Sequence, residues 1–273
     1  MSNGRSAYGV PPVERAIALL RYIADGNDCA NSSLAAKETG INRTTLLRLV
    51  ETLHREKMIQ PNPDGAGYAL GNGLIHLAAR ALYSRDIVQI AQPELKHLAA
   101  SLGLSAHLGV IEGLEILYLL RETPNLHLVS NVRVGSRLPV HATTIGRIIL
   151  AHHNGAQRDS LLKGCDFHAV TSKTPTSRIA LEAQLDTDRK TGLAWSVGNF
   201  EAGIGSAAAA VFDSTGEPVA AINVTGPEHE FAESSGRRDE IHSALRTSAH
   251  EISQQLGFRS DPSGSDINMT RPR

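Results

Sequence analysis

A two-domain α+β fold is predicted by three features of the sequence. Three helical patterns followed by a short hairpin occupy the first 72 residues. A helical stretch runs from Gly73 to Leu102. Beyond it, apolar strands alternate with amphipathic helices.

Residues 1–11 read as a loose, disordered arm of small and polar residues. Pro12 suits a first helical position, and Val13, Ala16, Ile17, Leu20 and Ile23 recur at helical spacing until Gly26. A second helix is predicted from Ser33 to Thr39 with Asn31 or Ser32 as N-cap, then a tight turn at Gly40-Ile41-Asn42. A third helix follows from Arg43 to Lys57. Met58-Ile59-Gln60 and Tyr68-Ala69-Leu70 flank a Pro- and Gly-rich turn and read as a β-hairpin. Three helices and a hairpin, over 12–72, is the order of a winged helix-turn-helix.

From Gly73 to Leu102 the pattern is helical, with Pro93 expected to kink or restart it. Residues 73–87 are assigned as a linker helix that also forms the dimer, and 88–257 as a second domain. In that domain Ala106–Ile111 and Glu115–Arg121 form a strand pair around Glu112-Gly113. Helices are expected at Thr143–His152, Gln157–Lys163, Ile179–Thr191 and Arg237–Leu256, and apolar strands at Ala207–Phe212 and Val219–Val224. Residues 258–273 read as a polar, disordered tail.

Of the 273 residues, 41% are hydrophobic and 20% charged, an ordinary globular composition. No apolar run approaches the roughly 20 residues that cross a bilayer, and the first residues lack a secretion signal, so the expectation is a cytoplasmic protein without membrane partners. Cys29 and Cys165 have neither metal-ligand nor disulfide spacing. The net charge of −1 does not advertise a nucleic-acid binder, yet Ile41–Gln60 carries four basic residues against two acidic ones.

At ~100° per residue, Leu46, Leu49, Val50 and Leu53 fall on one side of the third helix, and Thr44, Arg48, Glu51 and Arg55 on the other. The apolar side must pack on the first two helices, which leaves the polar side free to enter a DNA groove. An arginine reads guanine O6 and N7 with two hydrogen bonds, and threonine reaches a base edge or phosphate. Asn42, Arg43 and Thr45 stand near the helix N-terminus, where an anion is favoured. Gly65 and Gly67 would let the wing backbone approach the duplex. Two outward arginines alone describe an ordinary solvated helix. The small Ala36 four residues before Gly40, the short turn and the hairpin directly after together favour DNA binding.

The segments VERAIALLRYIADG, LAAKETGINRTTLLRLVETLHREKMI, GAGYALG, LPVHATTIGRIILA and FEAGIGSAAAAVFDSTGEPVAAINVTGP, with the closing helix, resemble the IclR family of bacterial transcriptional regulators from Val13 to Gly257. The resemblance implies a GAF-like C-terminal domain, an antiparallel sheet flanked by helices, that binds a small effector such as a carboxylic acid or aromatic catabolite. It implies dimers or dimers of dimers that repress or activate catabolic operons. Carried over by motif, the pocket is lined by Thr143, Thr144, Ile145 and Gly146, then Ser196 and Asn199, then Ile204 and Ser206, and last Asn223 and Thr225. Many relatives have aspartate where this chain has Ser196, and cysteine where it has Ser206. Such a lining predicts a small anion held by neutral donors and helix N–H groups, with no negative charge beside it.

No catalytic constellation is visible, which sets the regulator reading against an alternative, a small-molecule enzyme whose N-terminal helices only dimerise it. Gly203–Ala208 resembles a degraded dinucleotide fingerprint but precedes a strand rather than a helix, and no cofactor is expected. His152 and His153 are adjacent and point apart, so with His141 they predict no metal. Glu182, Asp186 and Asp188 read as a solvated, charged helix.

Overall fold

The computed structural model describes residues 9–83, 86–124 and 131–259, and the chain divides into two compact units, Met1–Ser84 and Arg85–Arg273. The predicted arm lies outside the described residues up to position 8, and the predicted tail from position 260. Pro11, assigned to the arm, already belongs to the first helix.

The first unit runs α1 (Pro11–Ala24), α2 (Ser32–Thr39), α3 (Arg43–Arg55), β1 (Ile59–Pro61), β2 (Tyr68–Leu70) and α4 (Asn72–Tyr83). Two prolines open α1, where their missing N–H groups cost nothing. The buried row of α1 is Leu19 and Ile23, with Leu20 half-buried. Val13 and Ile17, predicted to face the core, are instead 54% and 44% exposed, because one small core covers only the neighbouring stripe. Asn31 caps α2 by accepting from the N–H groups of Ser33 and Leu34, both at 3.1 Å. Gly40 ends α2 at φ +68°, the left-handed turn that glycine adopts without a Cβ penalty. Ala35, not the anticipated Ala36, is the fully buried small residue of α2. Helix α3 contributes Leu46, Val50 and Leu53 to the core, and it ends at Arg55, two residues earlier than expected, with Lys57 turning the chain at φ +60°. β1 and β2 pair antiparallel from Ile59↔Leu70 to Pro61↔Tyr68.

The second unit begins with α5 (Asp86–Leu102). The expected break at Pro93 does not occur, and α5 continues through it. Ala91 and Leu95, both fully buried, anchor the turns on either side and offset the hydrogen bond that proline removes. Next come β3 (Ser105–Glu112), β4 (Glu115–Glu122), β5 (Arg137–Pro139), α6 (Thr144–His152), α7 (Gly155–Leu161), α8 (Arg178–Thr191), β6 (Ala194–Val197), β7 (Ile204–Phe212), β8 (Pro218–Pro227) and α9 (Arg238–Gln255). Six strands form one antiparallel sheet in the order β5-β4-β3-β8-β7-β6. β5 and β6 have three and four residues, too few to show a period in sequence.

Helix α6 packs on β7, β8 and α8, while α5 packs on α9 and β3. Every residue from Ala207 to Val211 is buried, so both faces of β7 are covered. All of Gly203–Ala208 but Gly203 already belongs to β7, which starts at Ile204 and not at the expected Ala207, so the segment is strand and not a nucleotide turn. Asp188 departs from its expected solvated position. It continues the inner row Leu181, Leu185 of α8 and meets Arg147 of α6 through two hydrogen bonds, at 2.6 and 2.9 Å. Both side chains are almost fully buried. Among the described residues, no helix is long and apolar enough to cross a membrane.

Candidate DNA-reading face and ligand cavity

In the first unit Thr44, Arg48, Glu51 and Arg55 all lie exposed on α3, opposite the buried Leu46, Val50 and Leu53. The amphipathic split of one helix is sufficient to place them. Asn42 caps α3, its Oδ1 accepting from the Thr44 N–H at 3.0 Å. Arg43 is exposed and donates from Nε to Ser32 Oγ at 3.3 Å, which ties α3 to the start of α2. Thr45 is half-buried at the edge of the strip. Arg55 pairs with Glu56 in solvent, a contact of little energetic weight. Leu47, half exposed beside Arg48, was not anticipated. It is an apolar group on the same strip, of the kind that meets a thymine methyl.

Gly65, at φ +77°, has open space around it at the tip of the hairpin. Gly67 has another task than the one expected. A Cβ there would collide with the Asp28 carbonyl, and the next N–H, of Tyr68, donates to that carbonyl at 2.5 Å. Gly67 therefore seats the hairpin against the loop before α2, and its backbone is half-buried there.

In the second unit a cavity of about 40 Å³ lies between the N-terminus of α6 and the sheet. Thr143, Thr144, Ser196, Ile204, Ser206, Asn223 and Thr225 come together around it. Sheet register explains this convergence: Ser196 pairs with Ser206, Ser206 with Thr225, and Asn223 with His107, so hydroxyls and amide share one face. Thr143 caps α6 by accepting from the Gly146 N–H at 3.1 Å. The N–H groups of Thr144 and Ile145 precede the helical ladder and have no partner within it.

A polar chain crosses the wall. His107 Nδ1 lies 3.0 Å from Asn223 Oδ1, Asn223 Nδ2 donates to Ser206 Oγ at 3.1 Å, and Ser206 Oγ meets Thr144 Oγ1 at 2.8 Å. Thr225 Oγ1 is buried without a hydrogen-bond partner among the described residues. Burial, foremost, pushes the His107 imidazole down to about 4, with the Arg121 charge adding and the Asn223 bond opposing. The folded state thus refuses a proton that the unfolded chain takes up below about pH 6.5. Stability from this group is complete above pH 7 and is expected to fall by about 3 kcal/mol between pH 6.5 and pH 4. Denaturation midpoints of wild type and His107→Gln at pH 7 and pH 4.5 measure it: the variant should lose less on acidification, and equal losses would remove His107 as a source.

Three predicted pocket residues do not reach the cavity. Ile145 turns into the core, where its side chain packs over Gly109, because it follows Thr144 by one position and so faces another side of α6. Gly146 is a packing glycine whose Cβ would strike the Val140 carbonyl. The Asn199 backbone is held by Thr171, Thr174 and Ser196 in a loop beside the cavity. Five further residues line the wall: Tyr118, Val132, Ala142, Phe200 and Glu201. Ala142, Phe200 and Glu201 adjoin predicted positions in sequence, whereas Tyr118 and Val132 arrive by tertiary contact. The carboxylate of Glu201 corrects the expectation that no negative charge stands beside the site. His141, set aside as a metal ligand, is a core residue bonded through Nε2 to the His168 carbonyl at 3.0 Å.

Known sequences and structures agree with this arrangement. The IclR helix-turn-helix domain matches residues 12–63, and the bacterial transcriptional regulator IclR C-terminal domain matches residues 79–254. The chain is 31% identical to the HTH-type transcriptional regulator XynR of Escherichia coli K12, over 79% of this chain and 86% of that one. It is 26% identical to the regulator KdgR of the same strain, over 93% and 95% of the two chains. A crystal structure of a transcriptional regulator from Rhodococcus sp. RHA1 superposes with a TM-score of 0.81 at 27% identity, over 91% of this chain and 98% of that one. These relatives are DNA-binding regulators rather than enzymes, which removes the enzyme alternative. With a helix-turn-helix unit that leaves its third helix uncovered and an antiparallel-sheet unit that matches over its whole core, the chain belongs to the IclR family of bacterial transcriptional regulators.

Proposed function

We propose that this regulator answers to a small organic acid or aromatic catabolite bound in the second unit, and controls a catabolic operon through a palindromic operator. The observation that carries the proposal is the cavity beneath the N-terminus of α6, a helix end whose first N–H groups are free of the ladder, with Thr143, Thr144 and the unpartnered Thr225 hydroxyl at its wall. The N–H groups and the helix dipole favour a carboxylate, and Thr225 offers a hydrogen bond that the fold leaves unmade. Glu201 would accept from a ligand hydroxyl at the same wall. The cavity is far below the ~300 Å³ of ordinary ligand sites, so a ligand of more than a few atoms displaces a wall as it binds. Such displacement is the differential interaction that a ligand-driven switch requires.

The protein would act as a homodimer or a dimer of dimers. Val10 just before α1, and Val13 and Ile17 on it, are exposed apolar residues, and Ile75 and Leu77 are exposed on α4. Two copies would set their α3 helices in successive major grooves, about 34 Å apart. A thermal-shift screen of organic acids and aromatic catabolites on the full-length protein, followed by operator titration with and without each hit, tests the proposal. A compound that stabilises the protein and changes operator affinity supports it. Failure of the whole set to do both overturns it.

Two substitutions examine the parts. Arg48→Ala is expected to weaken operator binding by ~1–3 kcal/mol if it reads a guanine, with the melting temperature unchanged because the side chain is exposed. Unchanged affinity in a gel-shift titration removes that role. Thr225→Val deletes a buried, unpaired hydroxyl at nearly constant volume. It is expected to raise stability by about 1 kcal/mol while weakening ligand binding. A loss of stability on denaturant titration would show that the hydroxyl is satisfied within the fold.

A further inference from the structure

The second unit holds another groove, separate from the ligand cavity. Strand β6 pairs with β7 only over Gly205–Ala208. Beyond Ala208 that edge of β7 has no neighbouring strand among the described residues, and the surface opens into a groove of about 630 Å³ between the end of α8 and α9. That volume lies within the ~300–1,000 Å³ of small-molecule sites.

Its charge is one-sided. Arg189, Lys190 and Arg246 line it together with His152 and His250, and none of the described lining side chains is a carboxylate. None of the three cations has an ion-pair partner among the described residues. Elsewhere in the unit Arg137, Arg147, Arg158, Lys173, Arg178 and Arg237 pair with acids, whereas Lys96, Arg133, Lys163 and Arg238 have no ion pair among the described residues but do not line this groove. The C-terminus of α8 contributes roughly −0.5 of a charge here, and three full positive charges exceed it. His152 registers the field: burial, then the Arg189 charge, then His153 push its imidazole down to about 4. Unpaired like charges gathered on one concave surface are relieved by a multivalent anion, which guanidinium forks grip with two bonds each.

We infer that this groove binds a compact polyanion, a small molecule with two or more phosphates or carboxylates, held by Arg189, Lys190 and Arg246. The inference is independent of the ligand proposed for the cavity.

Calorimetric titration of the full-length protein at low ionic strength, with pyrophosphate and separately with citrate, tests it. At least one anion is expected to bind at one site per chain, and Arg189→Gln with Arg246→Gln should weaken it at least tenfold. Both side chains are exposed, so the double variant should keep its melting temperature and its operator affinity without anion. In wild type the bound anion should raise the His152 titration midpoint followed by NMR, and in the double variant it should not. Binding of pyrophosphate alone identifies a phosphate site, of citrate alone a carboxylate site, and of both a site that reads charge. The inference fails if neither anion binds, or if the double variant retains full affinity. It also fails if that variant changes oligomeric state while anion binding persists, which would mark the groove as a contact between copies of the chain.

Discussion

Replacing Asp188 by alanine is expected to destabilise the second unit by about 3–5 kcal/mol. The Arg147 guanidinium is 5% exposed, and Asp188 supplies two of its hydrogen bonds, with the Trp195 carbonyl a third at 3.3 Å. Burial raises the Asp188 carboxyl above its ordinary value, and the guanidinium opposes that shift. Removing the carboxylate strands a positive charge between α6, α8 and β6. Because α6 carries Thr143 and Thr144 on the cavity wall, ligand binding should weaken along with stability. The compensating pair Arg147→Met with Asp188→Leu removes both charges and should restore most of the loss, since well-packed apolar replacements of buried pairs are often neutral or better. Denaturant titration of the three proteins distinguishes the outcomes. A cost below about 1 kcal/mol for the single variant would show that solvent reaches the pair.

Leu46→Ala is expected to cost the first unit ~2–5 kcal/mol. Leu46 is 1% exposed and packs in one small cluster with Leu19, Ile41, Val50 and Ile59. A unit of this size has little stability in reserve, so the helix-turn-helix would be substantially unfolded at ambient temperature. Calorimetry should then show an early transition for the first unit and an unchanged one for the second, with operator binding lost. The contrast with Arg48→Ala is diagnostic, because that variant should lose operator affinity with both transitions in place. A single transition shifted as a whole would show that the two units unfold together.

Much of this was legible before any coordinates. The third helix announces its two faces because one period of 3.6 residues decides both what is buried and what is free. The cap at Asn31 and the hairpin at 59–70 depend on contacts between near neighbours in the chain. The errors lie where distant residues decide. Val13 and Ile17 have the same spacing as core residues, and only the size of the core leaves them outside. Pro93 breaks a helix by local rules, yet buried neighbours carry α5 through it. Asp188 reads as solvated because its partner is 41 residues away.

Periodicity alone made the two-unit order and the outward strip of α3 readable, while the family and the polar row Ser196, Ser206, Asn223 and Thr225 came from motifs that resemble known regulators. Only the tertiary structure decided that Ile145 and Gly146 serve packing, that Gly67 seats the wing, that Tyr118 and Glu201 join the cavity, and that three unpaired cations converge beside the end of β7. The physical reason is one of range: local spacing says which way a side chain points from its own backbone, but what it meets there depends on a strand or helix placed by the whole fold.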